Sequence, residues 1–453
     1  MLSTSFYGWA YGNVFFPTWQ RVVRHRRIGD HLALLEGTQW LGSEELERLQ
    51  LASLRVLLEH AGRRIPYWRE LFARIGFDVR ALKSRSDLQA LPVLTREIIQ
   101  ERFDDMVDPE LHATNIRKGT SGTTGVPLRF EYCNESEAWR TAVRLRGYGW
   151  AGYQLGRPTL YYWGTGAQIP TGLNAGKIGL DRALKREVYV DAARQDEASM
   201  QRAVRILARH KPRTIVAYTQ ALATLARWIL ERDERDWPDA NVVCAAEALL
   251  PHDRDVISRA FGPNVFETYG SRETMLIAAE CDAHDGLHLS EENLIVEVAG
   301  NGQPASPGES GEVIITDLHN FGMPFIRYSN GDVATMAASG PCRCGRWLRK
   351  LTHVDGRRLD TLRDGMGRPV PGMVFISLLQ SERQMLRAYQ VVQKKTGAVE
   401  LKIVPGRDWD AARFEGIARR LAGYFHGVPF RVTPCDEIPA SASGKRRPVV
   451  VEN

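Results

Sequence analysis

The residues best suited to chemistry form a run of only glycine, serine and threonine, Gly119-Thr-Ser-Gly-Thr-Thr-Gly125. Glycines let a backbone turn tightly and direct its N–H groups at an anion, and hydroxyl groups add further donors. The run therefore favours a polyphosphate-binding loop. It is not the P-loop of kinases and GTPases, because no Lys-Ser/Thr pair closes it at the required spacing. A flexible linker is the structural alternative.

Three later stretches combine glycine with a side chain that could bind or activate a nucleotide. Glu267-Thr-Tyr-Gly-Ser-Arg-Glu273 follows a strand-like run, Tyr328-Ser-Asn-Gly-Asp332 follows a β-rich segment, and Pro439-Ala-Ser-Ala-Ser-Gly-Lys445 lies close to the end of the sequence. Considered singly, each has an ordinary explanation: a core aromatic residue, surface carboxylates, or a solvated basic tail. The order and spacing of all four stretches along the chain make the functional interpretation stronger than any one of them does.

In that order and spacing the sequence resembles the adenylate-forming superfamily, which holds acyl-CoA synthetases, luciferases and peptide-synthetase adenylation domains. Within it, the sequence is most similar to phenylacetate–CoA ligases and to related enzymes encoded with capsular-polysaccharide genes. The Ala217-Tyr218 step before a helix favours the capsule-gene subgroup. The segments that carry the closer resemblance are Leu91-Pro-Val-Leu-Thr95, Ala246-Glu247-Ala-Leu249, Thr316-Asp-Leu318, Pro324-Phe-Ile-Arg-Tyr328 and Cys342-Arg-Cys344-Gly-Arg346.

The resemblance implies ATP- and Mg²⁺-dependent activation of a carboxylic acid to an acyl-AMP, with release of pyrophosphate and transfer of the acyl group to coenzyme A. The implied catalytic residues are Lys445, Glu273 and Thr124. The implied nucleotide-binding residues are Thr120, Ser121, Gly122, Thr123, Thr124, Gly125, Glu247, Tyr269, Gly270, Asp332 and Arg357.

The implied roles agree with the chemistry of the side chains. Tyr269 would stack on adenine, since a flat ring offers a π-face to a flat base. Glu273 would bind Mg²⁺, which prefers oxygen ligands, and the Asp332 carboxylate would accept hydrogen bonds from the ribose hydroxyls. Lys445 would offset the charge that builds on the α-phosphate in the transition state, and Arg357 would lie near the ribose or phosphate.

Two departures from the family pattern affect ATP binding and the second half-reaction. Val126 stands where many relatives have lysine, so either ATP binds less tightly or Arg129 or Lys118 supplies a cation near the phosphates. Leu359 occupies the usual hinge position for rotation of the small domain. The acceptor could therefore be an amine or hydroxyl in surface-polysaccharide biosynthesis, or the chain could be a non-catalytic ATP-binding homologue. A serine hydrolase is excluded, because no Gly-x-Ser-x-Gly elbow occurs.

A structural zinc site is predicted from two cysteine-containing segments. Cys342 and Cys344 offer two thiolates in one turn, and Cys281 lies upstream with His288 and His284 close behind it. A Cys₃His set suits tetrahedral zinc. His288 is favoured over His284 as the nitrogen ligand, and the alternative is free thiols with surface histidines.

The pattern of apolar runs predicts how the chain positions these residues. Short apolar runs at 158–163, 214–218, 241–245 and 264–268 alternate with helical patterns such as 197–210 and 220–232. We expect an α/β protein in which a large N-terminal domain, 1–354, has mostly parallel sheets flanked by helices and a β-rich subdomain at about 287–354. A small, mobile α+β domain, 355–453, would carry Lys445. An acid pocket with aromatic walls near 161–166, 218 and 244–247 would suit an aryl or other apolar acid.

Composition and charge restrict the partners. The net charge of +6 is mild for 453 residues, and no nucleic-acid module is recognisable, so nucleic acid is not expected as a partner. Six cysteines in so long a chain are typical of the reducing cytoplasm. The aromatic stretch 6–19, followed by a basic cluster at 21–27, could contact an anionic membrane surface peripherally or pack on its own domain. The oligomeric state stays open, with a homodimer as one possibility.

Overall fold

In the computed structural model the chain forms two compact units, Met1–Val354 and Asp355–Asn453. The structure describes residues 6–120, 128–163, 174–192, 196–300, 303–357, 362–367, 369–370, 375, 379, 385–438 and 449–452. None of the described helices combines the length and apolar composition needed to cross a membrane.

The first seven helices precede the first strand in the sequence, and each later helix connects two strands. A π-helical stretch at Tyr11–Phe15 joins the first two, and 3₁₀ turns occur at Val79–Ala81 and Arg85–Ala90. The helices are α1 Phe6–Ala10, α2 Phe16–Val22, α3 Ile28–Thr38, α4 Ser43–Arg64, α5 Pro66–Ile75, α6 Arg96–Glu101, α7 Phe103–Met106, α8 Asn134–Trp150, α9 Asn174–Lys185, α10 Glu197–His210, α11 Thr219–Arg232, α12 Pro251–Phe261 and α13 Ala411–Ala422.

The described strands fall into one large sheet, two small pairs and a four-stranded sheet. They are β1 Ile116–Gly119, β2 Arg129–Tyr132, β3 Thr159–Tyr162, β4 Glu187–Val190, β5 Thr214–Tyr218, β6 Asn241–Ala245, β7 Val265–Ser271, β8 Met275–Glu280, β9 Leu287–Leu289, β10 Leu294–Gly300, β11 Gln303–Pro304, β12 Ser310–Asp317, β13 Tyr328–Met336, β14 Lys350–Arg357, β15 Leu362–Arg363, β16 Pro369–Val370, β17 Leu386–Gln393, β18 Val399–Pro405, β19 Phe430–Pro434 and β20 Val449–Val451.

The large unit is built on a twelve-stranded sheet in the order β11-β10-β12-β13-β14-β9-β8-β7-β6-β5-β3-β4. The neighbouring pairs β4–β3, β3–β5, β5–β6 and β6–β7 are parallel, whereas β8 is antiparallel to β7. The strands of residues 287–354 continue this same sheet with antiparallel pairs. The predicted α/β class, with parallel strands flanked by helices and a β-rich part, is confirmed.

Both faces of the parallel half are buried, which explains why its strands read as continuous apolar runs. Ile215, Val242 and Cys244 pack with helices α10 to α12 on one face. Val216 and Val243 point to the other face, where they pack with α3 and α8. Because β3, β5 and β6 are parallel neighbours, their carboxyl ends form one edge between the two helical layers. Ligands of open α/β sheets bind at such an edge.

Outside the large sheet, the described elements form two further packed regions. Helices α4 and α5 pack with the β1–β2 hairpin and with residues 318–328 around the fully buried Trp68. In the small unit, β19-β18-β17-β20 form a sheet in which β18 is antiparallel to β17 and parallel to β19. Helix α13 packs on it through Phe414, Ile417 and Leu421.

Candidate active site

The glycine, serine and threonine run connects the two strands of a hairpin. Strands β1 and β2 pair antiparallel, with Gly119 opposite Arg129. Thr120 closes the base: its N–H donates to the Leu128 carbonyl at 2.9 Å, and its Oγ1 accepts from the Leu128 N–H at 3.1 Å. Thr120 is thus placed at the start of the loop. The predicted phosphate ligands Ser121, Gly122, Thr123, Thr124 and Gly125 lie outside the described residues.

The turn between β7 and β8 is tied directly to this hairpin. Arg272 donates from Nη1 to the Gly119 carbonyl at 2.9 Å, although 153 residues separate them. Gly270 is required by space, because a Cβ there would lie 2.2 Å from the Met275 carbonyl oxygen. Met275 itself has φ of +66°, which side-chain-bearing residues rarely adopt. The tight turn thus carries Arg272, which reaches the hairpin, and Glu273 directly after it.

Glu273 is held in a buried polar network. Its side chain is 6% exposed, and Tyr328 donates its hydroxyl to Oε1 at 3.4 Å. The Glu273 carbonyl accepts from the buried Arg140 guanidinium, which also pairs with Asp317 Oδ2 at 3.1 Å and lies over the Tyr132 ring. Since a buried charge persists only when paired, this network fixes the Glu273 backbone firmly.

Tyr269 and Asp332 contact each other directly, and both contact Asn330, a residue that sequence reasoning missed. Tyr269 donates its hydroxyl to Asp332 Oδ2 at 2.7 Å, and Asn330 Nδ2 donates to the same oxygen at 2.8 Å and to the Tyr269 hydroxyl at 2.7 Å. Asn330 also accepts the Asp332 N–H at 3.0 Å, which shapes the turn. Its place between the tyrosine and aspartate of the Tyr328–Asp332 motif was the available signal.

Arg327, the residue before the Tyr328–Asp332 turn, links that turn to the Leu91–Thr95 segment. Leu94 forms a parallel bridge with Tyr328 through the Arg327 carbonyl and the Ser329 N–H, each at 2.9 Å. Arg327 adopts φ of +52° and makes two 3.1 Å hydrogen bonds to Glu297. Strained backbone conformations of this kind persist only where surrounding contacts enforce them, and they concentrate at functional sites.

Arg96 brings a cation to the loop, a second feature that sequence reasoning missed. Helix α6 begins at Arg96, capped by Thr95, and the half-buried Arg96 side chain donates from Nη2 to Thr120 Oγ1 at 3.3 Å. Arg129, one of the two predicted substitutes for a loop lysine, instead lies over the Phe103 ring at 5.3 Å. Lys118 is exposed on β1. The geometry therefore favours Arg96 over Arg129 and Lys118 as the substitute for a loop lysine.

Glu247 lies at the carboxyl edge of the parallel strands. It follows Ala246, which has φ of +70°, and its Oε2 accepts the Gln220 N–H at 3.0 Å. Thr219 donates to the Glu247 carbonyl at 2.9 Å, so Glu247 caps the start of α11. At the same edge the rings of Trp163 and Tyr218 lie 4.3 Å apart.

The half-buried carboxyl of Glu267 lies on β7, behind this edge. Burial raises the pKa of Glu267 to about 7, and its Oε1 accepts the Leu249 N–H at 3.1 Å. The nearby Glu280 carboxylate is paired with Arg254 through two 2.9 Å hydrogen bonds. The fold therefore favours the neutral Glu267 side chain near pH 6.

A raised pKa predicts a specific pH dependence of stability. Glu267 stabilises the fold fully below its unfolded pKa near 4.5, and this contribution is lost as pH rises to about 7. In wild type the free energy of unfolding should fall by about 1–3 kcal/mol over this range because of Glu267, and Glu267→Gln should remove that fall. Between pH 5 and pH 8 the melting temperature of the variant should therefore rise relative to that of wild type. The exposed Glu309→Gln is the control. Parallel melting profiles of wild type and Glu267→Gln would contradict the prediction.

The four predicted zinc ligands come together. One side-chain ligand atom from each of Cys281, His288, Cys342 and Cys344 lies within 4.8 Å of all the others. The Cys281 and Cys342 sulfurs are 3.9 Å apart, and His288 Nε2 is 3.4 Å from the Cys344 sulfur. Such separations are those of neighbouring ligands around a tetrahedral zinc ion.

The surroundings of His288 fix the nitrogen that would bind a metal. Nδ1 lies 3.0 Å from the Leu348 carbonyl, which can only accept, so Nδ1 carries the proton and Nε2 presents its lone pair to the sulfurs. Burial lowers the pKa of His288 to about 4, which keeps the ring neutral at physiological pH. The alternative ligand, His284, lies 3.0 Å from the Glu280 carboxylate. Among the described residues, His288 is the histidine that joins the sulfurs.

Two further predicted nucleotide-site residues, Lys445 and Arg357, are not described beside the others. Lys445 lies outside the described residues, as do Val126 and Leu359. Arg357 ends β14, but its side chain is outside the described part of the chain. The described site therefore joins three of the four motifs: the hairpin, the Tyr269–Glu273 turn and the Tyr328–Asp332 turn.

Comparison with known proteins supports the same relationship. No protein-family model matches the chain. Phenylacetate-coenzyme A ligase of Thermus thermophilus is 25% identical over 446 residues, which is 90% of this chain and 97% of that protein. Protein CapK of Staphylococcus aureus is 21% identical over 80% of each chain. A 2-hydroxyisobutyryl-CoA ligase, solved in the postadenylation state with R3-HIB-AMP, has a TM-score of 0.73 at 18% identity and covers 92% of both chains. The predicted resemblance to adenylate-forming ligases, including the phenylacetate–CoA ligase branch and the capsule-related subgroup, is confirmed.

Proposed function

We propose that the protein is an ATP-dependent acid–thiol ligase, which activates a carboxylic acid as an acyl-AMP and then transfers the acyl group to coenzyme A. The observation that carries the proposal is the meeting of three motifs separated by up to 213 residues, from Gly119 to Asp332. The similarity to a phenylacetate-coenzyme A ligase over nearly the whole of both chains supports the same reaction.

The first half-reaction requires two anions to meet. A carboxylate oxygen of the acid attacks the α-phosphorus of ATP, the bond to the β-phosphate bridging oxygen breaks, and pyrophosphate leaves. In the proposed arrangement the loop after Thr120 holds the β- and γ-phosphates, and Tyr269 and Asp332 hold the adenosine. Lys445 then offsets the negative charge that develops on the α-phosphate.

The second half-reaction releases AMP. The thiolate of coenzyme A attacks the acyl carbonyl carbon, and the bond between that carbon and the AMP phosphate oxygen breaks. That thiolate forms when the thiol releases its proton to solvent, and AMP departs as an anion, so a thioester and AMP form in equal amounts. Thioester measurement therefore tests this step separately from pyrophosphate exchange.

Glu273 offers a carboxylate, which is a suitable ligand for Mg²⁺. A carboxylate is a hard oxygen ligand, and the Arg140 contact fixes the turn that carries it. When bound, Mg²⁺ would neutralise phosphate charge. Glu273 would hold the ion against the triphosphate, and Tyr328 would orient the carboxylate.

The Cys₃His cluster fits a structural zinc ion. Arg346, two residues after Cys344, is sandwiched between Trp40 and Trp150 at 4.5 and 4.7 Å from the two ring centroids. Gln39 Oε1 accepts from both Arg346 Nε and Trp150 Nε1. The cluster would thus fasten the β9–β14 region to helices α3 and α8, and we propose a role in stability.

We propose that Arg96 supplies the positive charge that relatives obtain from a lysine at the position of Val126. We expect Arg96→Ala to raise KM for ATP by about tenfold, because a guanidinium near a phosphate contributes roughly 1.5–3 kcal/mol. Arg129→Ala is the matched control and should change KM for ATP little, since that side chain lies over Phe103. Initial-rate kinetics at saturating acid measure both values. Equal effects of the two substitutions would contradict the assignment.

The acid proposed for this site is aryl or otherwise apolar. The carboxyl edge of the parallel strands carries Trp163 and Tyr218 in contact, while Ala245 ends β6 and Glu247 follows it. Aromatic walls bury apolar surface effectively. A panel of aryl, fatty and hydroxy acids in the exchange assay should rank aryl acids first.

A different acceptor remains the second candidate. It is an amine or hydroxyl in surface-polysaccharide biosynthesis, as the resemblance to capsule-gene enzymes implies, and the similarity to CapK supports that resemblance. Pyrophosphate exchange without thioester formation would support this reaction over the thiol ligase. ATP binding without exchange for any acid would favour a non-catalytic homologue. For the thiol ligase we propose a cytoplasmic location, where ATP and coenzyme A are available.

A further inference from the structure

The N-terminal helices expose an unusual amount of apolar surface. We use "N-terminal apolar face" for the side chains of Phe6, Trp9, Val14, Phe15, Trp19 and Val22, each between 46% and 81% exposed. Phe6 stacks with Trp9, and Phe15 stacks with Trp19, at centroid separations of 6.3 and 6.4 Å. An exposed surface this aromatic is typical of a contact site.

The opposite side of the same segment is firmly seated on the large unit. Gly8, Tyr11 and Phe16 are buried, and Tyr11 and Phe16 pack with α3 and α8. A Cβ on Gly8 would lie 3.5 Å from the Gly156 carbonyl oxygen, so the helix sits close to that loop. The segment is therefore apolar on both sides, as expected for a helix that has a second apolar environment.

Helix α9 extends the N-terminal apolar face. Tyr7 donates its hydroxyl to the Leu184 carbonyl at 2.6 Å, which joins the two elements. Ile178, Leu180 and Leu184 are exposed on α9, Leu180 by 63%. The apolar surface thus comes from two separate parts of the sequence.

Basic residues border this surface. The sequence has arginines at 21, 24, 26 and 27, of which Arg26 is paired with Glu137, and no Asp or Glu between residues 6 and 29. The first carboxylate, Asp30, is already engaged by Arg27 at 2.8 Å. On α9, Asp181 is likewise engaged by Lys185 at 2.7 Å, while Lys177 and Arg182 add positive charge.

We propose that the N-terminal apolar face docks on an anionic lipid bilayer surface. Tryptophan and phenylalanine favour the boundary between headgroups and acyl chains, and arginines beside them attract anionic headgroups. A second copy of the chain fits the charges less well. In a two-fold contact the same patch meets itself, so the arginine clusters would face one another.

Vesicle co-sedimentation of the full chain tests the proposal. We expect binding to vesicles of phosphatidylcholine with phosphatidylglycerol and little binding to phosphatidylcholine alone. Trp9→Ser/Phe15→Ser and, separately, Arg21→Gln/Arg24→Gln should each lower the partition coefficient on the order of tenfold or more. Val56→Ser, an exposed apolar residue on α4, should leave it unchanged.

Three results would overturn the proposal. The first is no sedimentation with the anionic vesicles. The second is equal partitioning of wild type and the arginine variant. Because the arginine variant keeps the apolar face intact, this comparison does not depend on whether the aromatic variant folds. The third is a wild-type dimer, seen by sedimentation equilibrium, that Trp9→Ser/Phe15→Ser converts to monomer, because a second copy would then cover the face.

Discussion

Lys445→Ala is expected to lower the rate of acid-dependent pyrophosphate exchange by about 10²–10³, because the lysine acts on charge that develops only in the transition state. An interaction made only there lowers kcat with little effect on KM. Initial rates of exchange across a range of ATP concentrations give both quantities.

The neighbouring basic residue provides the control for Lys445. Arg446→Ala removes the same charge from the same stretch of sequence, yet we expect less than a twofold change in kcat. If both substitutions lowered kcat equally, or if Lys445→Ala raised KM for ATP alone, the proposed catalytic role of the lysine would be wrong.

Loss of a zinc ligand is expected to have the largest effect on stability. Cys342 is 4% exposed, and Cys342→Ser should abolish metal retention because three ligands no longer satisfy a structural site. Removal of a structural metal is one of the few changes that lower the free energy of unfolding by more than about 4 kcal/mol. We therefore expect the melting temperature to fall on the order of 10 °C, with zinc content measured by mass spectrometry.

Cys133→Ser separates the metal effect from that of removing a buried cysteine. Cys133 is buried in the same unit, and its sulfur lies near the His319 carbonyl rather than the cluster. This variant should retain zinc and melt within a few degrees of wild type. Purified wild type that contains no zinc, or a Cys342→Ser variant that melts like wild type, would contradict the structural role.

Much of the fold could be predicted because its buried elements have a strong local signature. The strands at Thr214–Tyr218 and Asn241–Ala245 and the helix at Glu197–His210 have the predicted bounds. Strands covered on both faces must be apolar throughout, and polar residues mark their ends. Short turns have a weaker local signature, as in the 3₁₀ turn at Arg85–Ala90. Asp87 accepts the N–H groups of Lys83 and Ser84 there, which favours a short turn.

The candidate site could be predicted only in part, since several of its contacts join distant segments. The resemblance pointed to Tyr269 and Asp332, but nothing local indicated that Arg272 reaches Gly119 or that Arg96 reaches Thr120. Such contacts follow from how β8 turns back along β7 and how α6 follows the Leu94–Tyr328 bridge. The zinc cluster was easier to find, because cysteine and histidine are rare and their spacing is informative.

Exchange of labelled pyrophosphate into ATP, catalysed by the full chain in the presence of Mg²⁺ and one acid at a time, tests adenylate formation most directly. We expect exchange with at least one aryl or other apolar acid, none without acid, and a thioester with an equal amount of AMP when coenzyme A is added. Protein that binds ATP but exchanges no pyrophosphate with any aryl, fatty or hydroxy acid would contradict the proposed activity.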